Sequence, residues 1–208
     1  GKAEPIYVTS IPRREGRELG TVRNVRFSNI LARGESGALV HGSEASSIEN
    51  LQFDNVRVEL QNSPRSDVRG GNFDLRPTSA TMALFEHDVP GIYARHVEGL
   101  DVDGFEVAWP GDAEEYFSHG LEVESFEGVS IDGFEGRGED GAAIALRDGT
   151  DVSVRNSRAA PGTGTFLSLS DTTDERLFVG NDLGDAETAI EGEETFSISA
   201  NHGVSRSD

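Results

Sequence analysis

The side chains best suited to chemistry gather in one stretch. Between Gln61 and Pro90 the chain holds Arg65, Asp67, Arg69, Asp74, Arg76, Glu86, His87 and Asp88. A guanidinium such as that of Arg76 has the planar fork that clamps a sugar carboxylate. Glu86 and Asp88 are two residues apart, so in an extended segment they share a face, as a carboxylate pair for acid/base work would need to. His87 between them offers an imidazole for proton transfer or for a metal. Just beyond, Tyr93 and Trp109 offer rings on which a sugar could stack. Asp74, Arg76, Glu86, His87, Asp88 and Tyr93 are therefore the candidate substrate-binding residues. The competing reading is a loop that packs on the body of the protein and pairs its own charges.

Other chemistries are poorly served. The chain has no cysteine, which excludes disulfides, thiolate metal sites and a Cys nucleophile. Asp101-Val-Asp103-Gly104 opens like a calcium loop but lacks the closing Glu, and alternating strand acids explain it better. Pro161-Gly-Thr-Gly-Thr165 has no lysine and is no phosphate loop. His41 follows Leu39-Val40 and either points into a cleft or packs. No catalytic residue, metal or cofactor is assigned. The net charge of −20 repels phosphate backbones, so nucleic acid is not an expected partner. No apolar run approaches the roughly 18 residues that would suggest membrane insertion.

Any such residues must be positioned by the elements around them, and an internal repeat shows what these are. Val22 to Asn29 reads VRNVRFSN, Ile48 to Asn55 reads IENLQFDN, Val97 to Gly104 reads VEGLDVDG and Phe126 to Gly133 reads FEGVSIDG. Weaker copies begin at Val152 and Leu177, with a degenerate last copy at Phe196. The first apolar residues of these short strands, at 25, 51, 100, 129, 152, 177 and 196, recur every roughly 20 to 29 residues. The longer gap from 51 to 100 is one repeat plus the 61–90 insertion. Alternation of period two marks short strands, and Asn or Gly ends each one because both tolerate a left-handed backbone. A second strand precedes most copies, as in Leu39-Val40, Ile92 to Ala94, Leu121 to Val123 and Ile144 to Leu146. Such strands cannot bury an apolar face alone, but stacking them as coils can. The expected fold is all-β, a right-handed parallel β-helix of about seven coils in one domain spanning 1–208. Asn29 should lie over Asn55 and Phe105 over Phe134.

The stretch from Thr21 to Val58 resembles late coils of glycoside hydrolase family 28, the polygalacturonase and rhamnogalacturonase-like group. There an RNI-x-F-x-N-I strand is followed by a Gly-flanked strand and an IENI-x-F-x-N-V strand. Gly70-Gly71-Asn-Phe-Asp74-Leu-Arg76-Pro77 and His87-Asp88-Val89-Pro90-Gly91-Ile92-Tyr93-Ala94 are similar to bacterial and archaeal members. The resemblance covers about residues 5 to 185 and implies a pectin-lyase-like solenoid acting on pectin or related polysaccharides. The family cleaves with inversion, using Asn-Thr-Asp, Asp-Asp, Gly-His-Gly and Arg-Ile-Lys motifs, and none of these occurs here. Ser118-His119-Gly120 is the nearest string to Gly-His-Gly, and Gly138-Glu139-Asp140-Gly141 carries adjacent acids, but both lie after the late-coil match. No catalytic residue is carried over.

A chain that opens on Gly1-Lys2 rather than Met reads as the C-terminal part of a longer polypeptide, with the catalytic coils upstream. The expected partners are a polysaccharide or oligosaccharide and the upstream coils of the same protein. Taken alone, the chain is expected not to hydrolyse its glycan. A secreted or cell-surface location is expected if the full-length protein carries a signal peptide. The alternatives are a carbohydrate-binding or adhesion solenoid that does not cleave, and a polysaccharide lyase or uronan epimerase.

The charge pattern makes its own prediction. Asp and Glu number 38, and Lys2 is the only lysine. An acid excess with almost no lysine is the pattern of a protein adapted to high salt, where screening removes self-repulsion. The melting temperature is expected to rise between low and molar salt. A flat or falling melting temperature over that range rejects the halophilic reading.

Overall fold

The computed structural model describes residues 4–66, 70–76, 78–79, 83–192 and 197–203. Asp67, Arg69, Pro77 and Phe196 lie outside the described residues. The chain is an all-β parallel solenoid of about six turns, with essentially no helix among the described residues. Its strands are β1 (Tyr7–Thr9), β2 (Val22–Gly34), β3 (Ala38–His41), β4 (Ile48–Leu60), β5 (Asn72–Asp74), β6 (Leu84–Glu86) and β7 (Ile92–Ala108). They continue as β8 (Leu121–Asp132), β9 (Glu135–Gly136), β10 (Ile144–Arg155), β11 (Arg158–Ala159), β12 (Thr163–Val179), β13 (Ala186–Glu191) and β14 (Ser197–Ser199).

The long strands turn corners without leaving the ladder, because left-handed residues recur in register. Asn24, Asn50, Gly99, Gly128, Asp151 and Asp174 all have positive φ and form one edge. Asn29, Asn55, Gly104, Gly133, Asn156, Gly180 and Ala200 form a second. Asn55 Nδ2 donates to Asn29 Oδ1 at 2.8 Å, the amide ladder expected from the repeat. Inside, alternate side chains stack into one core. Phe27 lies 5.5 Å from Phe53, and the ring sequence Phe105, Phe134, Phe166, Phe178 continues at 6.0, 6.1 and 6.2 Å.

The repeat reading is displaced by one residue in β12. Val152 pairs with Arg176 rather than Leu177, and the corner residue is Gly180 rather than Asn181. A bulge is the cause. Thr150 pairs with Thr173, yet Val152 pairs with Arg176, so β12 carries one extra residue there. Phe178 then becomes the buried residue, while Asn181 turns inward. Its side chain accepts the Ser157 N–H at 3.0 Å and donates to the Val154 carbonyl at 3.1 Å.

The insertion forms its own antiparallel pair, β5 with β6, in which Phe73 faces Phe85. Those two rings pack on Tyr93 at 5.8 and 5.5 Å, so the hairpin lies against the outward face of the β3–β7–β8 sheet.

Gly104 tests the corner rule. It has φ +67, and a Cβ built there would meet Asn55 Cα at an ordinary 3.7 Å. Backbone strain, not space, therefore limits substitution. Gly104→Val is expected to lose about 1–2 kcal/mol in urea unfolding. Gly104→Asn should lose much less, because Asn tolerates this conformation and extends the amide ladder. Equal losses for the two variants contradict this account.

Candidate functional site

The alternation that fills the core also aims the intervening side chains outward. In β8, Leu121 and Val123 are buried in the core, and Glu122 and Glu124 occupy the opposite face. Register places Tyr93 and Glu122 side by side, and lines up Arg95, Glu124 and Arg147 across three coils. A sheet face like this is normally solvated. Here the β5–β6 hairpin covers part of it, and Glu122 is only 1 % exposed.

A buried carboxylate must be compensated, and three side chains do so. Arg147 Nη2 contacts Glu122 Oε1 and also sits 3.0 Å from Glu124 Oε1. His87 Nε2 lies 3.5 Å from Glu122 Oε1. His119 adds a further field. Burial alone would raise the Glu122 pKa, but His87, His119 and Arg147 together hold it below the usual carboxylate range. Glu122 Oε2 is buried and has no hydrogen-bond partner among the described residues.

The neighbours have fixed roles. Tyr93 donates its hydroxyl hydrogen to Glu124 Oε2 at 2.5 Å. Burial and that carboxylate push its pKa up, so the phenol remains a donor and not a base. Arg95 Nε lies 3.9 Å from Glu124 Oε2. His119 Nδ1 lies 3.0 Å from the Ala142 nitrogen and 3.3 Å from its carbonyl oxygen, and burial holds its pKa down. His87 behaves oppositely. Burial disfavours its imidazolium, but the hydrogen bond to Glu122 and the charges of Glu122 and Glu124 outweigh this and raise its pKa.

His87, Glu122 and Glu124 each bring one donor atom within 4.8 Å of the others, as a divalent cation would require. The Arg147 guanidinium already contacts both carboxylates, however, and supplies the positive charge that a cation would bring.

Of the residues expected from sequence, His87 and Tyr93 belong to this cluster. Asp74 and Arg76 form an ion pair with each other beside the hairpin. Glu86 and Asp88 are exposed, while His87 between them is partly buried against Phe85 and Tyr93. Tyr93 is fully buried beneath Phe73, Phe85 and His87, so its ring is not an open stacking platform. Trp109 packs on Phe117 at 5.6 Å and donates to the Arg137 carbonyl at 2.9 Å, a wall residue rather than a free ring. His41 packs edge-on against Phe85 and borders a cavity of about 750 Å³ that Arg17, Arg95 and His96 also line.

Sequence reasoning missed Glu122, Glu124, Arg95 and Arg147. The alternating Leu-Glu-Val-Glu run was legible as a strand, but nothing in it signals that a hairpin from 72–86 would bury one of its outward acids. Comparison with known proteins finds no matching family model, no matching curated protein and no matching solved structure.

The His87 pair sets a pH dependence. A histidine whose folded pKa is raised gives stability that is fully present below its unfolded value, about 6.5. That stability is lost as pH rises through the folded value. Thermal unfolding at a series of pH values from 6 to 9 should show an alkaline decline in the wild type that is smaller in His87→Gln. Identical slopes for the two proteins show that the His87–Glu122 contact contributes nothing to stability.

Proposed function

We propose that the chain is the C-terminal, substrate-contacting part of a polysaccharide-directed glycoside hydrolase, and that it binds an acidic glycan such as polygalacturonate on the outward face around Glu122. The β-solenoid is consistent with proteins that handle polysaccharides. The observation that carries the reading is Glu122 itself, an ionised carboxylate buried on a face that would otherwise be solvent, with one oxygen unpartnered among the described residues. Buried carboxylates whose pKa is set by specific charged neighbours concentrate at functional sites.

The surroundings suit a sugar acid. Arg147 uses Nη2 for both carboxylates, out of five N–H donors in all. Arg95 and Arg147 flank Glu124 in one row, so this patch balances its charge within a protein of net charge −20. The adjoining cavity of about 750 Å³ brings Arg17 alongside Arg95 and gives a chain of sugars room to continue.

The geometry favours binding over inverting cleavage within this chain. Donor oxygens of Glu122 and Glu124 lie within 4.8 Å of each other. An inverting pair is spaced at roughly 6.5–9.5 Å so that a water fits between. Both acids are also held by Arg147, which suits fixed charges that orient the accessible guanidinium better than a mobile proton donor.

Titration calorimetry with oligogalacturonate tests this. Arg147→Met should weaken binding about 10- to 100-fold, as expected for loss of a charge-assisted hydrogen bond. The exposed control Glu86→Gln should leave binding unchanged. Neither protein should release reducing sugar from polygalacturonate. Wild-type binding that Arg147→Met leaves intact refutes the site, and turnover abolished by Glu122→Gln refutes the binding-only role.

A further inference from the structure

We propose that the N-terminal end of the solenoid is a docking surface for one more parallel coil of the same polypeptide, one with acidic outward side chains and oxygen-bearing corner residues. The proposal is independent of whether the Glu122 face binds a glycan.

The strand edge comes first. β2 pairs with β4 along one side, and among the described residues no strand pairs with its other side. Thirteen residues of extended backbone therefore offer an unpaired edge, which is a template for another strand. The core beneath it is unfinished. Ile48, Leu51, Phe53 and Val56 of β4 are at most 1 % exposed. Their partners Val22, Val25, Phe27 and Ile30 in β2 are only partly buried. Each has β4 on one side and, among the described residues, no strand on the other.

The corner ladders have a direction. Asn50 Nδ2 donates to Asn24 Oδ1 at 2.6 Å, and Asn55 Nδ2 donates to Asn29 Oδ1 at 2.8 Å. Every amide in the ladder thus donates toward the N-terminal end. An amide's oxygen and nitrogen lie on opposite sides of its carbon. With their oxygens turned to β4, the exposed Asn24 and Asn29 turn their NH2 groups to the open end. The next member of each ladder must accept, which calls for Asn, Asp, Ser or Thr.

Charge identifies the occupant further. The first 34 residues hold six arginines, Arg13, Arg14, Arg17, Arg23, Arg26 and Arg33, but only three acids, Glu4, Glu15 and Glu18. This end is basic in a protein of net charge −20. Arg26 and Arg33 already pair downward with Asp54 and Glu59 of the next coil. A preceding coil with acids in the same rows would repeat that arrangement.

A second copy fits poorly. Two N-terminal ends would set arginine against arginine. The far end of another copy offers β14, only three residues long, followed by Ala200 at the corner, which has no side-chain oxygen for Asn29.

The test adds one coil. A copy of residues 38–60 is fused ahead of Gly1, so that its β4 sequence can lie over β2. Companion fusions carry a shuffled copy, or a copy with its two corner asparagines changed to alanine. The intact copy should raise the melting temperature by about 2–4 °C or more, and should slow hydrogen exchange of the β2 amides. The alanine copy should do less and the shuffled copy nothing. In the unfused 208-residue chain, the β2 amides should exchange faster than those of β8, and light scattering should report a monomer. The proposal is overturned if intact and shuffled copies behave alike. It is equally overturned if the unfused chain protects β2 as well as β8, or self-associates through this end.

Discussion

Everything in this molecule depends on the register between successive coils. One hydrogen-bonded ladder runs from Val22 through Ile48 to Val97, and a neighbouring one from Tyr7 through Leu39 and Tyr93 to Glu122. Because the strands are parallel and in register, the side-chain period of two fixes which residues enter the core and which leave it. A slip of one residue would turn Phe53 outward and an acid inward. The left-handed corners hold the register, since a residue that must adopt positive φ cannot be exchanged for its neighbour without strain. The bulge in β12 shows how local such a deviation is. One extra residue near Arg176 is absorbed there, and Phe178 returns to the core stack.

Within that frame the Glu122 cluster has a simple origin. The solenoid presents a rigid face on which Tyr93, Glu122, Arg95, Glu124 and Arg147 are placed by pairing alone. The hairpin then contributes what the repeat cannot, namely apolar cover from Phe73 and Phe85 and the imidazole of His87. The cover makes the electrostatics strong. A Glu–Arg contact in open water is worth little, but removing one partner from a buried pair leaves an uncompensated charge. Such a network fixes the position of the hairpin on the sheet as well as the orientation of the acids.

Sequence and structure part company where the repeat does. Asn29 over Asn55 and Phe105 over Phe134 were legible because in-register stacking makes like residues recur at like positions. The second strand of each coil was legible for the same reason. The insertion obeyed no such rule. Its charged residues drew attention by type, yet Asp74 and Arg76 satisfy each other and Glu86 and Asp88 face solvent. The acids that matter, Glu122 and Glu124, sit inside an ordinary alternating strand. The burial of Glu122 is a tertiary event, the landing of a hairpin whose antiparallel pairing of Asn72 with Glu86 has no counterpart in the described coils.

In-register stacking also explains how charge is distributed. A parallel solenoid sets each residue over its repeat equivalent, so acids stack on acids. Glu49, Glu98 and Glu127 form one such column, and Asp54, Asp103 and Asp132 another. Like charges directly opposed across strands are unfavourable. The arginines relieve this by reaching between coils, Arg26 to Asp54, Arg57 to Glu106, Arg155 to Asp132 and Arg158 to Asp182. Arginine suits the task because its fork spans two carboxylates, as Arg147 does for Glu122 and Glu124. The same device therefore serves two ends. On open faces it offsets the repulsion that a repeating acidic sequence creates. Beneath the hairpin it holds Glu122 in place, and among the described residues Glu122 is the one acid of the acid–arginine lattice that the fold has fully buried.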